Sequence, residues 1–191
     1  MIRFAALLIC LPLALAACSD PEKTGRYLVD TPTAGKQMPN RLGLTELREV
    51  SLPEYAAGQE VPWQTPDGAV RSNPQALWAD AQPRAVTHLL AREISAISGA
   101  TVISEPWPLA EHPTNKLEVR VERMLATAGG VFVLTGRYFL APDAFGEGGG
   151  AGDTVRRFDI EVPLQGEGPP AIAAAQSQAL AQLAARIAAL R

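Results

Sequence analysis

Cys18 is the residue whose neighbours specify a reaction most directly. It follows Leu15-Ala16-Ala17 at the end of an uncharged run, Phe4 to Ala17, that Arg3 precedes. Those fourteen residues are too few for a spanning helix, which needs about 20. They suit the apolar core of a secretory signal with small residues at its exit. Leu-Ala-Ala-Cys looks like a lipobox, in which the cysteine thiol is diacylated, the chain is cut before it, and the new amine is acylated in turn. Ser19-Asp20-Pro21-Glu22 then turns polar, as a tether would. Cys10, the other cysteine, leaves with the signal. The mature domain therefore keeps no thiol for a disulfide, a thiolate metal site or nucleophilic catalysis.

The remaining reactive residue types do not assemble into a set. His88 and His112 are the only histidines, and zinc needs three or four convergent ligands, so both read as surface residues. Ser95 and Ser98 lack a Gly-x-Ser-x-Gly elbow or a nearby His/Asp pattern. Glu118 with Glu122, and Asp159 with Glu161, are carboxylates that strand alternation places on a wet face. Gly146-Glu147-Gly148-Gly149-Gly150-Ala151 contains Gly-x-Gly-x-x-Ala, but a dinucleotide fingerprint must open a helix. Here Asp153-Thr154-Val155-Arg156 opens a strand, so the glycines form a hairpin loop. No catalytic, cofactor-binding or metal-binding set is expected, and the chain is read as a non-enzyme.

Aromatic residues offer a different chemistry, that of contact. Trp63, Trp78 and Trp107 all lie at or near proline-containing turns, and Tyr55 closes Ser51-Leu52-Pro53-Glu54-Tyr55. Such residues cap core edges, or anchor a protein partner, since tryptophan is enriched in interface hot spots. Tyr55, Trp63, Trp78 and Trp107 are the candidate partner contacts.

Charge narrows the partners. Removing residues 1–17 leaves 174 residues, and the 17 cations less Arg3 against 20 carboxylates give a formal charge of −4. Dispersed basic residues on an acidic chain are a poor match for nucleic acid. No basic amphipathic helix is available to hold anionic lipid, so membrane attachment falls to the acyl chains on Cys18.

Three divisions are expected: a signal peptide at 1–17, a lipidated tether at 18–25 and one domain at 26–191. Within that domain, Arg26 to Asp30 reads as a brief strand ended by a turn at 31–35. Leu42 to Leu52 reads as a strand with a bulge, because Leu44 and Val50 share a phase that Leu47 does not. Pro66-Asp67-Gly68 closes a short edge hairpin, with Pro62 on its first strand. A helix is expected over about 73–98, strongest from Pro83. Val86, Leu90, Ile94 and Ile97 stripe one face, Arg84, His88, Arg92 and Ser95 the other, and Gly99 is the stop. Strands follow at 101–104, 116–122, 130–140 and 155–162. The last three predict an antiparallel meander with one solvated face. An alanine-rich helix over 171–190 ends the chain. The fold class is α+β: an antiparallel β-sheet with two helices packed on one face.

In this order of parts, Leu52-Pro53-x-Tyr55, Trp78-Ala79 after a hairpin, and the closing helix from Ala173 to Ala188 resemble the PqiC family, the ABC-type transport auxiliary lipoproteins. The resemblance spans essentially the whole mature chain. It departs at Val61-Pro62-Trp63, where proline weakens a ladder, and at the long glycine loop. It implies a non-enzymatic lipoprotein on the periplasmic side of the outer membrane. That lipoprotein would dock an MCE-domain protein that moves lipids or other hydrophobic molecules between membranes, and a homo-oligomer is compatible with this role. The alternative is a periplasm-facing lipoprotein that itself holds a lipid, or acts as an envelope chaperone.

Overall fold

The computed structural model describes residues 23–30, 37–144 and 152–190. The signal segment, Cys18, the turn at 31–35 and the glycine loop at 146–151 lie outside them. In chain order the elements are β1 (Gly25–Tyr27), β2 (Leu44–Leu47), α1 (Glu54–Ala57), β3 (Trp63–Gln64), β4 (Val70–Arg71) and β5 (Ala76–Trp78). Then come α2 (Gln82–Ser98), β6 (Thr101–Ser104), β7 (Asn115–Ala126), β8 (Val131–Pro142), β9 (Thr154–Pro163) and α3 (Gly168–Ala188). The α+β class is as expected, with α2 and α3 layered on a sheet.

The meander is the backbone of that sheet. β7 pairs antiparallel with β8, and β8 with β9. Strand alternation sends Leu117, Val119 and Val121 into the core and Glu118, Arg120 and Glu122 out. The register then shifts between Val121 and Arg123. The extra residue reverses the parity, so even-numbered Met124 and Ala126 now point inward, opposite Leu134 and Phe132. Gly136 sits opposite Val121 at this bulge. A Cβ there would lie 2.6 Å from the Phe158 ring and closer still to the Arg120 carbonyl. Phe158 lies against Gly136 across the ladder and stacks on Tyr138 at 6.3 Å.

The α+β class stands, but the sheet is mixed and not wholly antiparallel as expected, because β2 and β3 add to the edge of β7 in parallel. β2 lies between β6 and the first half of β7, parallel to both. Past Leu47 the chain leaves strand geometry but keeps the edge of β7, through Ser51 N–H to the Val119 carbonyl at 3.1 Å and Val121 N–H to the Ser51 carbonyl at 2.8 Å. The irregular step at 48–50 is what buries Leu47 and Val50 together despite their opposite phases. β3 takes the second half of the same edge, pairing Trp63 with Ala126 and ending in the β3–β4 hairpin.

The expected helix at 73–98 resolves into two elements. Residues 76–78 form β5, paired parallel with β1 in a small second sheet, and α2 begins only at Gln82. Proline in the first turn of a helix forfeits no hydrogen bond, so Pro83 starts this helix and does not kink it. Val86, Leu90, Ile94 and Ile97 are buried as expected, and Gly99 at φ 67° ends α2 with its N–H on the Ser95 carbonyl. Residues 54–57, read as part of a turn, make the single-turn α1. α3 likewise opens on Pro169 and Pro170. Its alanines allow close approach on several sides, and Leu180, Leu183 and Ile187 are fully enclosed. Between the helices, Gln176 Nε2 donates to Gln82 Oε1 at 2.6 Å, satisfying two buried amides against each other.

Candidate functional site

Tyr55 and Trp63 line separate grooves, one on each side of the β3–β4 hairpin. Thr65 N–H and the Ala69 carbonyl close its loop at 2.9 Å, and Gly68 takes φ 85° as the turn requires. Asp67 accepts from the Thr65 hydroxyl, from Arg71 at 2.8 Å and from Ala69 N–H at 3.3 Å. Those bonds, the Thr65 one foremost, hold its carboxyl below the ordinary 3.8.

A groove of about 450 Å³ opens on one side of the hairpin, with Trp63 as wall and Ala126, Leu164, Pro169 and Ile172 as floor. A second, of about 630 Å³, lies between Tyr55, Pro62, Arg71 and Leu77. Both aromatics are half-buried, packed by one face against the core. The Tyr55 hydroxyl accepts Met124 N–H at 3.2 Å, so this side chain also fixes β7 just beyond its bulge. The arrangement offers apolar surface beside hydrogen-bonding groups, which suits binding.

The two other tryptophans lie elsewhere. Trp78 is 3% exposed, so the placement as a partner contact is corrected: β5 turns its indole into the core, beside Met124, Phe132, Ile172 and Gln176. Its Nε1–H finds no acceptor among the described residues. Trp107 stands in the connection from β6 to β7. Its Nε1–H donates to the Glu111 carbonyl at 2.7 Å and its backbone N–H to Glu46 Oε1 at 3.1 Å. It shares no groove with Tyr55 or Trp63.

The residues set aside for catalysis stay apart. His88 is exposed on α2, with Nδ1 3.3 Å from the Ser104 hydroxyl. Ser95 bonds the backbone of Val102, and Ser98 the Ile94 carbonyl. Glu118 pairs with Arg120 at 2.5 Å, Glu122 with Arg137 at 3.3 Å. Among the described residues no three His, Cys, Asp or Glu gather as a metal site, and no helix is long and apolar enough to cross a membrane.

Charge marks how the helical layer is tied to the chain's entry. Asp30 binds Arg92 at 2.6 Å and donates its N–H to the Ser177 hydroxyl at 3.1 Å, joining the segment after β1 to both long helices. The Asp30 bond raises the Arg92 guanidinium. At the start of α2, Arg84 and then Ala81 N–H lower the Asp80 carboxyl, and Arg84 rises correspondingly.

Arg120, Arg137 and Arg157 were not singled out in the sequence. They stand directly opposite one another on β7, β8 and β9. Each is visible as a polar residue at an alternating position, but their alignment depends on two strand registers and the bulge.

Comparison with known proteins gives a family and a fold. The profile described as "ABC-type transport auxiliary lipoprotein component" matches residues 27–188. A solved structure of an uncharacterised protein is 24% identical, with a TM-score of 0.66, over 80% of this chain and 94% of its own. A Xanthomonas campestris protein of family DUF330 is 16% identical, with a TM-score of 0.67, over 86% and 93%. The search of curated proteins returned no match.

Proposed function

The chain belongs to the family of ABC-type transport auxiliary lipoprotein components, and from that premise we propose that it is a non-enzymatic docking lipoprotein of the outer membrane. Acylated Cys18 holds it on the periplasmic side, where it receives the MCE-domain conduit of a system that moves lipids or other hydrophobic molecules. The family match carries this reading: it begins at Tyr27, nine residues after Cys18, and runs nearly to the end of the chain.

Physical features support it. Each buried CH₂ contributes about 0.8 kcal/mol, so two or three acyl chains attach a protein durably where one does not. The seven residue-to-residue steps from Cys18 to Gly25 reach at most about 25 Å, which keeps the domain close to the bilayer. Ser19 in the position after the cysteine favours outer-membrane sorting. Trp63 and Tyr55, each half-exposed in its own groove beside the β3–β4 hairpin, suit anchor points for a protein.

The alternative, a carrier that holds lipid between helices and sheet, needs a wide apolar cavity. The void beside Trp78 and Phe132 is too small even for a water, and the groove of about 450 Å³ beside Trp63 is open to solvent and not enclosed between helices and sheet, which counts against it. Affinity capture of the lipidated chain from envelope extracts tests the docking role. Recovery of an MCE-domain protein is expected, and its absence would refute the proposal.

A further inference from the structure

The outward face of the meander is laid out in rows set by the registers. Glu118, Phe139 and Val155 form one row across β7, β8 and β9, and Arg120, Arg137 and Arg157 form the next. Beyond it come Arg123, Thr135 and Asp159, then Leu125, which is buried, with Val133 and Glu161. Like charges directly opposite on neighbouring strands are destabilising, and three guanidinium groups in register at strand spacings of about 4.8 Å repel twice over. Internal acids offset part of this. Glu118 binds Arg120 and, at 3.5 Å, Arg48, while Glu122 binds Arg137. Arg157 has no ion-pair partner among the described residues, although Asp159 and Glu161 follow it on the same face. With Arg48, Arg120, Arg123, Arg137 and Arg157 against Glu118, Glu122, Asp159 and Glu161, the face is nearly balanced as a whole, and its positive charge is concentrated in the Arg120–Arg137–Arg157 row. Apolar surface borders it: Val155 is 51% exposed, and the Arg120 guanidinium lies 5.0 Å from the centre of the Phe139 ring.

We propose that this face docks an extended, acidic protein segment, its carboxylates on the Arg120–Arg137–Arg157 row and its apolar side chains on Phe139 and Val155. Charge complementarity identifies the occupant. Arginine presents a planar fork of donors matched to carboxylates, and a partner carboxylate removes the repulsion that the register creates. A protein is preferred to the bilayer because Asp30 binds the chain's entry to α2 and α3, on the opposite side of the sheet. This preference rests on the lipid-anchor reading, whereas the arginine row does not.

Fluorescence anisotropy with the full chain in detergent, in about 150 mM salt, tests the inference. The probes are a labelled ten-residue peptide of alternating Asp and Val, its Asn–Val counterpart, and vesicles of phosphatidylethanolamine with phosphatidylglycerol. The Asp–Val peptide is expected to bind at least tenfold more tightly than the Asn–Val peptide. Arg137→Gln with Arg157→Gln should abolish that difference without lowering the melting temperature, and Arg84→Gln, on α2, should leave it intact. Equal binding of both peptides, undiminished binding by the double variant, or its loss equally in Arg84→Gln would overturn the proposal. So would binding of the vesicles through these arginines in preference to the peptide. Loss of lipidation at Cys18 would refute the anchor and leave the peptide result standing.

Discussion

Trp63 and Trp78 make opposite predictions although both lie at or near proline-containing turns in sequence. Trp78→Ala empties a buried site and should cost about 3–5 kcal/mol, read as a lower urea midpoint at unchanged slope. Trp63→Ala removes a half-exposed wall of a groove and should cost nearer 1 kcal/mol, while weakening capture of the partner more than stability explains. If binding by Trp63→Ala merely tracks the folded fraction, that residue is core. Tyr55 mixes the two roles, because its hydroxyl accepts Met124 N–H; Tyr55→Phe should cost about 0.5–1.5 kcal/mol. Gly136 is set by close approach. A methyl there meets the Arg120 carbonyl and the Phe158 ring, so Gly136→Ala should destabilise by about 1–3 kcal/mol. Chemical denaturation measures all four. Sequence shows the tryptophans' turn context but not their burial, because burial of Trp78 depends on which strand β5 joins.

At the scale of elements, long periodic segments were legible and short ones were not. Alternation over Leu117 to Val121 and the four-residue stripe from Val86 to Ile97 repeat often enough to declare a period. β5 has three residues, and Ala76-Leu77-Trp78 continues a helical pattern as readily as it makes a strand; only pairing with β1 decides it. The parallel insertion of β2 was equally hidden, since its partners lie more than fifty residues away. Two carboxylates report on local elements by pH. Asp67 in the β3–β4 turn and Asp80 before α2 both have folded values below 3.8. Their stabilisation is therefore complete above the ordinary carboxylate value and is lost as pH falls through the lowered one. The urea midpoint should drop between pH 6 and pH 3, and drop less in Asp80→Asn. An identical drop in both proteins would remove Asp80 from the account.

The whole molecule sets a layer of two long helices, tied to the chain's entry by Asp30, against a sheet whose far face carries the exposed arginine row. The lipobox is contiguous in sequence, and the lipoprotein reading it suggests agrees with the family description. The proposed contact surfaces were the least legible, because the placement of Trp63 beside Ala126 and the alignment of the arginine row each depend on pairing between distant strands. This geometry suits a protein held at a membrane by one end and engaged by partners at another. Placing a photoreactive amino acid at position 63 in the lipidated chain, irradiating intact envelopes and identifying the adduct by mass spectrometry tests that claim most directly. The account predicts a crosslink to an MCE-domain protein, lost when Cys18→Ala detaches the chain from the membrane. Efficient labelling that yields no transport-system protein would contradict it.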